Sequence, residues 1–157
     1  MQKIAIFVDV QNIYYTTRSV YKRQFNYRRF WQQINAQGNI VQAIAYATDK
    51  GDDGQAKFQT ALKHIGFEVK LKPYIQRADG SAKGDWDVGI TIDIMSIAPD
   101  VDRVILLSGD GDFAILLDKI NELHNTQTQV YGVTKLTAKG LIDSCQAFHE
   151  ITMADLL

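Results

Sequence analysis

Val104-Ile105-Leu106-Leu107 runs directly into Ser108-Gly109-Asp110-Gly111-Asp112-Phe113. An unbroken apolar run of this length reads as a strand buried on both faces, as in a parallel sheet. The two carboxylates then stand just past its carboxyl end, where open α/β sheets bind their ligands. A second apolar run, Ile4-Ala5-Ile6-Phe7-Val8, ends the same way, in Asp9-Val10-Gln11-Asn12. If the two strands are neighbours, their acids converge on one crevice. Convergent carboxylates with no matching arginine are the usual setting of a divalent cation.

Working outward, strand-like runs alternate with helix-like ones. Strands are expected at Lys3 to Val8, Ile40 to Ala47, Phe67 to Leu71, Arg103 to Leu107 and Gln129 to Val133. Between them, Phe58, Ala61, Leu62 and Ile65 repeat at helical spacing within Gln55 to Ile65, which stops at Gly66. Ile115, Leu116, Leu117, Ile120 and Leu123 do the same within Phe113 to Leu123. Further helices are expected from Trp86 to Ala98, ending before Pro99, and from Ala138 to Phe148, with a short last strand at His149 to Thr152. This alternation predicts an α/β fold, a three-layer doubly wound and mainly parallel sheet with right-handed crossovers. With 157 residues, 46% of them apolar, the chain is expected to form one domain over residues 1–157.

The net charge of −1 argues for neither nucleic acid nor membrane, but its distribution is uneven. Up to Thr48 the sole acid is Asp9, against Lys3, Arg18, Lys22, Arg23, Arg28 and Arg29, whereas Asp79 to Glu122 holds ten acids. Cys145 is the single cysteine, so there is no internal disulfide and a cysteine metal site is disfavoured. The amino-terminal apolar run is too short for a signal segment or a membrane span, and no stretch approaches about 18 uninterrupted apolar residues. A cytoplasmic protein without membrane contact is expected, and homo-oligomerisation is left open.

Lys83-Gly84-Asp85-Trp86-Asp87-Val88 opens the helix expected from Trp86 to Ala98 and can deliver a third carboxylate to the sheet edge. Aspartate is also favoured at helix amino termini, where it caps free N–H groups and meets the positive dipole end, so Asp85, Asp87, Asp112 and Ser108 each have a capping explanation. Asp9 is harder to dismiss. A carboxylate closing an apolar strand must be paired, metal-bound or costly. Asp93 lies six positions beyond Asp87, about 240° around the helix, and reads first as part of a polar outer face.

Three motifs in order, Phe7-Val8-Asp9-Val10-Gln11-Asn12, Lys83-Gly84-Asp85-Trp86-Asp87-Val88-Gly89-Ile90-Thr91-Ile92-Asp93 and Leu107-Ser108-Gly109-Asp110-Gly111-Asp112-Phe113, resemble the NYN domain, in particular its bacterial LabA-like branch. That family is similar to PIN-domain nucleases and shares their acidic metal site, so the resemblance, which spans nearly the whole chain, implies a PIN-like fold and a nuclease. Carried over by motif, Asp9, Asp87 and Asp110 match the metal-site acids and Asp112 the additional acid. Asn12 matches the polar partner of the first aspartate, and Ser108 opens the fourth-strand motif.

The chemistry agrees. Phosphodiester hydrolysis needs an activated in-line water and compensation of charge on the leaving oxygen, which carboxylate-held Mg²⁺ or Mn²⁺ supplies. Hard cations prefer such oxygen ligands. Asp9, Asp87 and Asp110 would then be ligands, Asp112 would complete a second site or orient water, and Asn12 and Ser108 would orient the ligands. For substrate, Tyr14, Tyr15, Arg18, Tyr21, Lys22, Arg23, Phe25, Tyr27, Arg28 and Arg29 interleave cations with aromatics directly after the first motif. Cations match phosphates and rings stack on unpaired bases, so single-stranded RNA fits better than duplex; nucleic acid is the expected partner, RNA ahead of DNA. An amphipathic helix with a solvated basic face and aromatics in the core explains the same residues. Lys83 would contact phosphate or be solvated, and Trp86 is a core residue or borders the site.

Other signals are weaker. His64, His124 and His149 lack metal-ligand spacing. Lys50-Gly51-Asp52-Asp53-Gly54 lacks a phosphate-loop signature. A phosphoacceptor or phosphatase domain also places acids at strand ends, and Thr134-Lys135 would suit one, but the first motif lacks the paired carboxylates such sites use. A topoisomerase-primase domain would end its first strand in Glu, not Asp9. The reading is therefore a Mg²⁺- or Mn²⁺-dependent ribonuclease, with a non-catalytic RNA-binding or regulatory module of the same fold as the alternative.

Overall fold

The structure is a computed structural model and describes residues 1–49, 53–73, 75–76, 82–83 and 85–157. Lys50 to Asp52 of the turn-rich loop, and the side chain of Lys83, lie outside the described part. The elements in order are β1 (Lys3–Asp9), α1 (Val10–Tyr21), α2 (Tyr27–Asn35), β2 (Asn39–Asp49), α3 (Asp53–Ile65), β3 (Glu68–Pro73), β4 (Ile75–Gln76), β5 (Ala82–Lys83), α4 (Asp87–Ile97), β6 (Arg103–Leu107), α5 (Ala114–Leu123), β7 (Gln127–Gly132), α6 (Lys139–Ser144) and β8 (Ala147–Glu150). Six strands form one sheet in the order β3-β2-β1-β6-β7-β8, and every pairing in it is parallel. The short β4 and β5 pair antiparallel with each other, apart from this sheet.

The two acid-terminated strands are neighbours. Ile4 to Val8 pair in register with Arg103 to Leu107. From β1 the chain builds outward through β2 to β3, then returns by α4 to place β6 on the other side of β1. Strand order thus reverses between β1 and β6, the switch point where doubly wound sheets open a crevice at their carboxyl edge.

Alternation along β1 explains the three layers. Ile4, Ile6 and Val8 face Ile13, Phe30, Ile34 and Leu62 from α1, α2 and α3. Ala5 and Phe7 face Ile90, Ile94, Leu116, Leu117 and Ile120 from α4 and α5. All five of Ile4 to Val8 are fully buried, which is why the run carries no polar residue until Asp9.

Three expectations need correction. The helix expected from Ala138 to Phe148 ends at Ser144, because Ala147 to Glu150 pair with Gln129 to Gly132 as β8. The 3₁₀ turn Gly111–Phe113 precedes α5, so that helix starts later than expected. The basic aromatic segment is two helices. Lys22 ends α1 in the left-handed conformation at φ 60°, and the Asn26 side chain caps α2 by accepting from the Arg29 N–H at 3.1 Å. Phe25, between them, bridges to Leu156. No helix among the described residues is long and apolar enough to cross a membrane.

Phe7 fills the α4/α5 face of the central strand and is fully buried. Phe7→Ala is expected to cost about 3–5 kcal/mol. Urea unfolding should show this as a lower midpoint with an unchanged slope. A loss below about 1 kcal/mol would mean that this face of β1 is not tightly packed.

Candidate metal centre

Asp9 ends β1, Asp110 follows β6, and Asp87 opens α4. One carboxylate oxygen from each lies within 4.8 Å of the others. Short polar contacts lock the two strand ends together. The Ser108 hydroxyl donates to Asp9 Oδ2 at 3.1 Å and accepts the Asp110 N–H at 3.1 Å. The Asn12 side-chain oxygen accepts the Gly109 N–H at 2.8 Å, tying the start of α1 to the loop after β6. A Cβ on Gly109 would lie 2.5 Å from the Leu136 carbonyl oxygen, so only glycine lets the loop after β7 close underneath.

The capping explanation separates the acids at α4. Asp85, exposed, accepts the Asp87 N–H at 3.3 Å, whereas the Asp87 carboxylate joins the cluster. Asp110 does both, because its Oδ1 also accepts the Asp112 N–H at 2.9 Å. Asp112 is exposed and its carboxylate is outside the three-membered group.

Asp87 is held in place by contacts of α4 with β2 and β3, on the face of the sheet that α4 covers. Trp86 donates its indole N–H to the Ala47 carbonyl at 2.9 Å, and its ring lies 5.3 Å from that of Tyr46. Lys72 places its ammonium 4.7 Å over the Trp86 ring and donates to the Asp85 carbonyl at 3.0 Å. Further along α4, Asp93 Oδ2 accepts from Tyr46 at 2.7 Å and from Lys70 at 2.8 Å. Asp93 therefore belongs neither to a solvated outer face nor to the cluster; it anchors α4 to β2 and β3. Tyr46, Lys70 and Lys72 are supports that the sequence reading missed, although lysines alternating on one face of β3 opposite the single acid inside an apolar helix were a signal.

Electrostatics follow from the geometry. Burial, with repulsion from Asp110 and Asp85, pushes the Asp9 carboxyl up to about 6 against the opposing hydrogen bonds from Ser108 and Asn12. Burial, a hydrogen bond with the Asp110 carboxyl and repulsion from Asp110, Asp85 and Asp9 push Asp87 up to about 7. The ion pairs among the described residues join Lys70 to Asp93, Lys119 to Glu122 and Lys139 to Asp143, and none reaches the cluster. Three converging carboxylates without a cationic side chain suit a hard divalent cation.

The basic segment divides. Arg18, Lys22, Arg23, Arg28 and Arg29 are exposed. Phe25 and Tyr27 are core residues, and Tyr21 donates its hydroxyl to the Ile151 carbonyl at 3.0 Å. Tyr14 and Tyr15 are 49% and 68% exposed, so of the interleaved rings these two face solvent most. Among the histidines, His64 is exposed on α3, His124 follows α5 and His149 stacks on Tyr131. Thr134 and Lys135 sit exposed in a 3₁₀ turn after β7.

A sequence model of the NYN domain matches residues 3–152. The chain is 28% identical over 144 residues to the low amplitude and bright protein LabA of Synechococcus elongatus, covering 83% of this chain and 75% of that protein. It is also similar to a crystal structure of a protein of unknown function from Vibrio parahaemolyticus, with 54% identity and a TM-score of 0.94 over 99% of this chain and 96% of the other.

A carboxyl raised from 3.8 to about 7 binds its proton more tightly in the folded state, so its contribution to stability is lost as pH rises through that window. Asp87→Asn removes this loss. In EDTA, the variant's melting temperature should exceed the parent's by a margin that grows from pH 5 to pH 7.5. A margin independent of pH would contradict the crowding of charge at Asp87.

Proposed function

The chain belongs to the NYN domain family, within the PIN-like nuclease superfamily, and from that premise we propose that it is a Mg²⁺- or Mn²⁺-dependent ribonuclease. It hydrolyses phosphodiester bonds of single-stranded RNA at Asp9, Asp87 and Asp110. The observation that carries this reading is the group of three carboxylate oxygens within 4.8 Å, at the strand-order reversal, with no cationic side chain among the described residues paired to it.

Asp9, Asp87 and Asp110 would hold the ion. When bound, it would supply a water acidic enough to be a nucleophile near neutral pH and offset charge on the leaving oxygen. Ser108 fixes the Asp9 carboxylate, and Asn12 fixes the backbone between Ser108 and Asp110. Asp112, exposed two residues beyond Asp110, would orient the attacking water or complete a second site. Arg18, Lys22, Arg23, Arg28 and Arg29 hold phosphates of the incoming strand, and the exposed rings of Tyr14 and Tyr15 stack on unpaired bases. The unpaired Cys145 suits a reducing cytoplasm.

Asp110→Asn keeps the oxygen that accepts the Asp112 N–H and removes one charge from the cluster. In EDTA the variant should melt at the parent's temperature or slightly above it. Added Mn²⁺ should raise the parent's melting temperature and barely move the variant's, because only a site that binds the native state stabilises it. Cleavage of labelled single-stranded RNA should fall with the metal response. Equal Mn²⁺ stabilisation of both proteins, with a variant weaker in EDTA, would make Asp110 a structural cap and remove the basis of the nuclease reading.

Arg28 and Arg29 open α2 and face solvent. Replacing both by Ala should weaken RNA binding and lower its salt slope by up to about two phosphate contacts. An unchanged slope from a titration between about 50 and 200 mM salt would return them to a solvated face.

A further inference from the structure

Between α1 and α3, above the carboxyl ends of β1 and β2, lies a cavity of about 620 Å³ that the cleavage chemistry leaves unused. That is within the range of small-ligand pockets, roughly 300–1,000 Å³. It adjoins the acid cluster through the chain itself. Val10 and Gln11, which line it, are the two residues after Asp9, and Ala47 and Thr48 on its opposite wall follow Tyr46, the register partner of Asp9.

Its lining has a definite chemistry. Phe58 gives it an aromatic wall, backed by the largely buried rings of Tyr27 and Phe25, with ring centroids 5.8 Å apart for Tyr27–Phe58 and 4.9 Å for Phe25–Tyr27. Tyr14 stands half-exposed at its wall, its hydroxyl accepting from Arg18 at 3.1 Å. The polar groups include the amides Gln11, Gln24 and Gln59, and no carboxylate lines it among the described residues. Lys57 supplies a cation. An amide offers donors and an acceptor side by side, which matches the edge of a nucleobase, while rings match its face. A charged metabolite would call for charged partners that this lining, apart from Lys57, does not hold.

We infer that this cavity is a base-recognition subsite: it takes one unpaired nucleobase of the RNA strand whose phosphodiester lies at Asp9, Asp87 and Asp110, and so gives the enzyme a base preference. The inference rests on the nuclease reading for its substrate. Gln24 and Gln59 read the base edge. Lys57 meets a phosphate of the same strand.

The test uses single-stranded oligoadenylate, oligocytidylate and oligouridylate of equal length, binding measured in EDTA and cleavage in Mn²⁺. The parent should favour one of the three by about tenfold, the discrimination of one good bidentate amide–base contact. The double variant Gln24→Ala/Gln59→Ala should bring the three within about twofold of one another, as expected when that contact is removed. Equal treatment of the three by the parent, or a preference that survives in the double variant, with Mn²⁺-dependent cleavage intact, overturns the subsite and leaves the nuclease reading standing. A preference seen in binding and erased by the double variant, without any cleavage in Mn²⁺, supports the subsite and removes the catalytic reading. Absence of both binding and cleavage overturns both.

Discussion

Three carboxylates within 4.8 Å repel one another, and the fold around them is an arrangement that holds them there. Two of the three sit at the ends of strands that are hydrogen-bonded neighbours over five residue pairs. That pairing cannot relax to separate Asp9 from Asp110 without unzipping the centre of the sheet, where Ile4 to Val8 are wholly buried. The raised pKa values of Asp9 and Asp87 express the same constraint from the other side. Where atoms are not free to move apart, protonation or a cation is the remaining way to relieve the field.

The third carboxylate is fixed differently. Asp87 belongs to a helix that reaches the sheet after a long crossover, so its position depends on contacts made away from the cluster. Trp86 is the nearest of these: its N–H on the Ala47 carbonyl and its ring on Tyr46 set where α4 begins. Gly89 makes room for that ring, since a Cβ there would lie 2.6 Å from it. Two turns on, the Asp93 contacts with Tyr46 and Lys70 fix the rotation of the helix about its axis. A helix anchored at Trp86 and again at Asp93, seven residues on, can neither slide nor roll, which keeps the Asp87 carboxylate beside the other two.

How much of this the sequence discloses depends on whether the cause is local. Asp9 and Asp110 are legible because an apolar strand that ends abruptly in an acid has few explanations. Asp87 was ambiguous, since a cap and a ligand look alike at a helix start; Asp85 carries the capping contact, and only spatial neighbours reveal it. Asp93 was misread for a related reason. Helical periodicity gives an angle about the axis, but not that β2 and β3 cover that side with a tyrosine and a lysine. The basic segment after β1 was legible in composition and not in division, because the αL residue at Lys22 and the partner of Phe25, Leu156, lie respectively in a backbone angle and at the far end of the chain. The tail of the expected last helix became β8 because β7 offered an unpaired edge, a tertiary fact that overrides spacing.

The donors placed around the cluster are all neutral: the Ser108 hydroxyl, the Asn12 N–H and the Asp112 N–H. This choice has a physical consequence. A dipole offsets part of the cost of burying a carboxylate and fixes its direction, yet leaves its full charge in place. A lysine or arginine would fix direction equally well and also neutralise the site, abolishing the field that draws a divalent ion. Among the described residues, the lysines that brace α4 are engaged elsewhere, Lys70 on Asp93 and Lys72 on Trp86 and a backbone carbonyl. Those contacts keep α4 in place without placing a positive charge among the three acids. Three acids held this way carry an unrelieved field, and the same electrostatics that make the cluster costly to fold are what a bound cation would relieve.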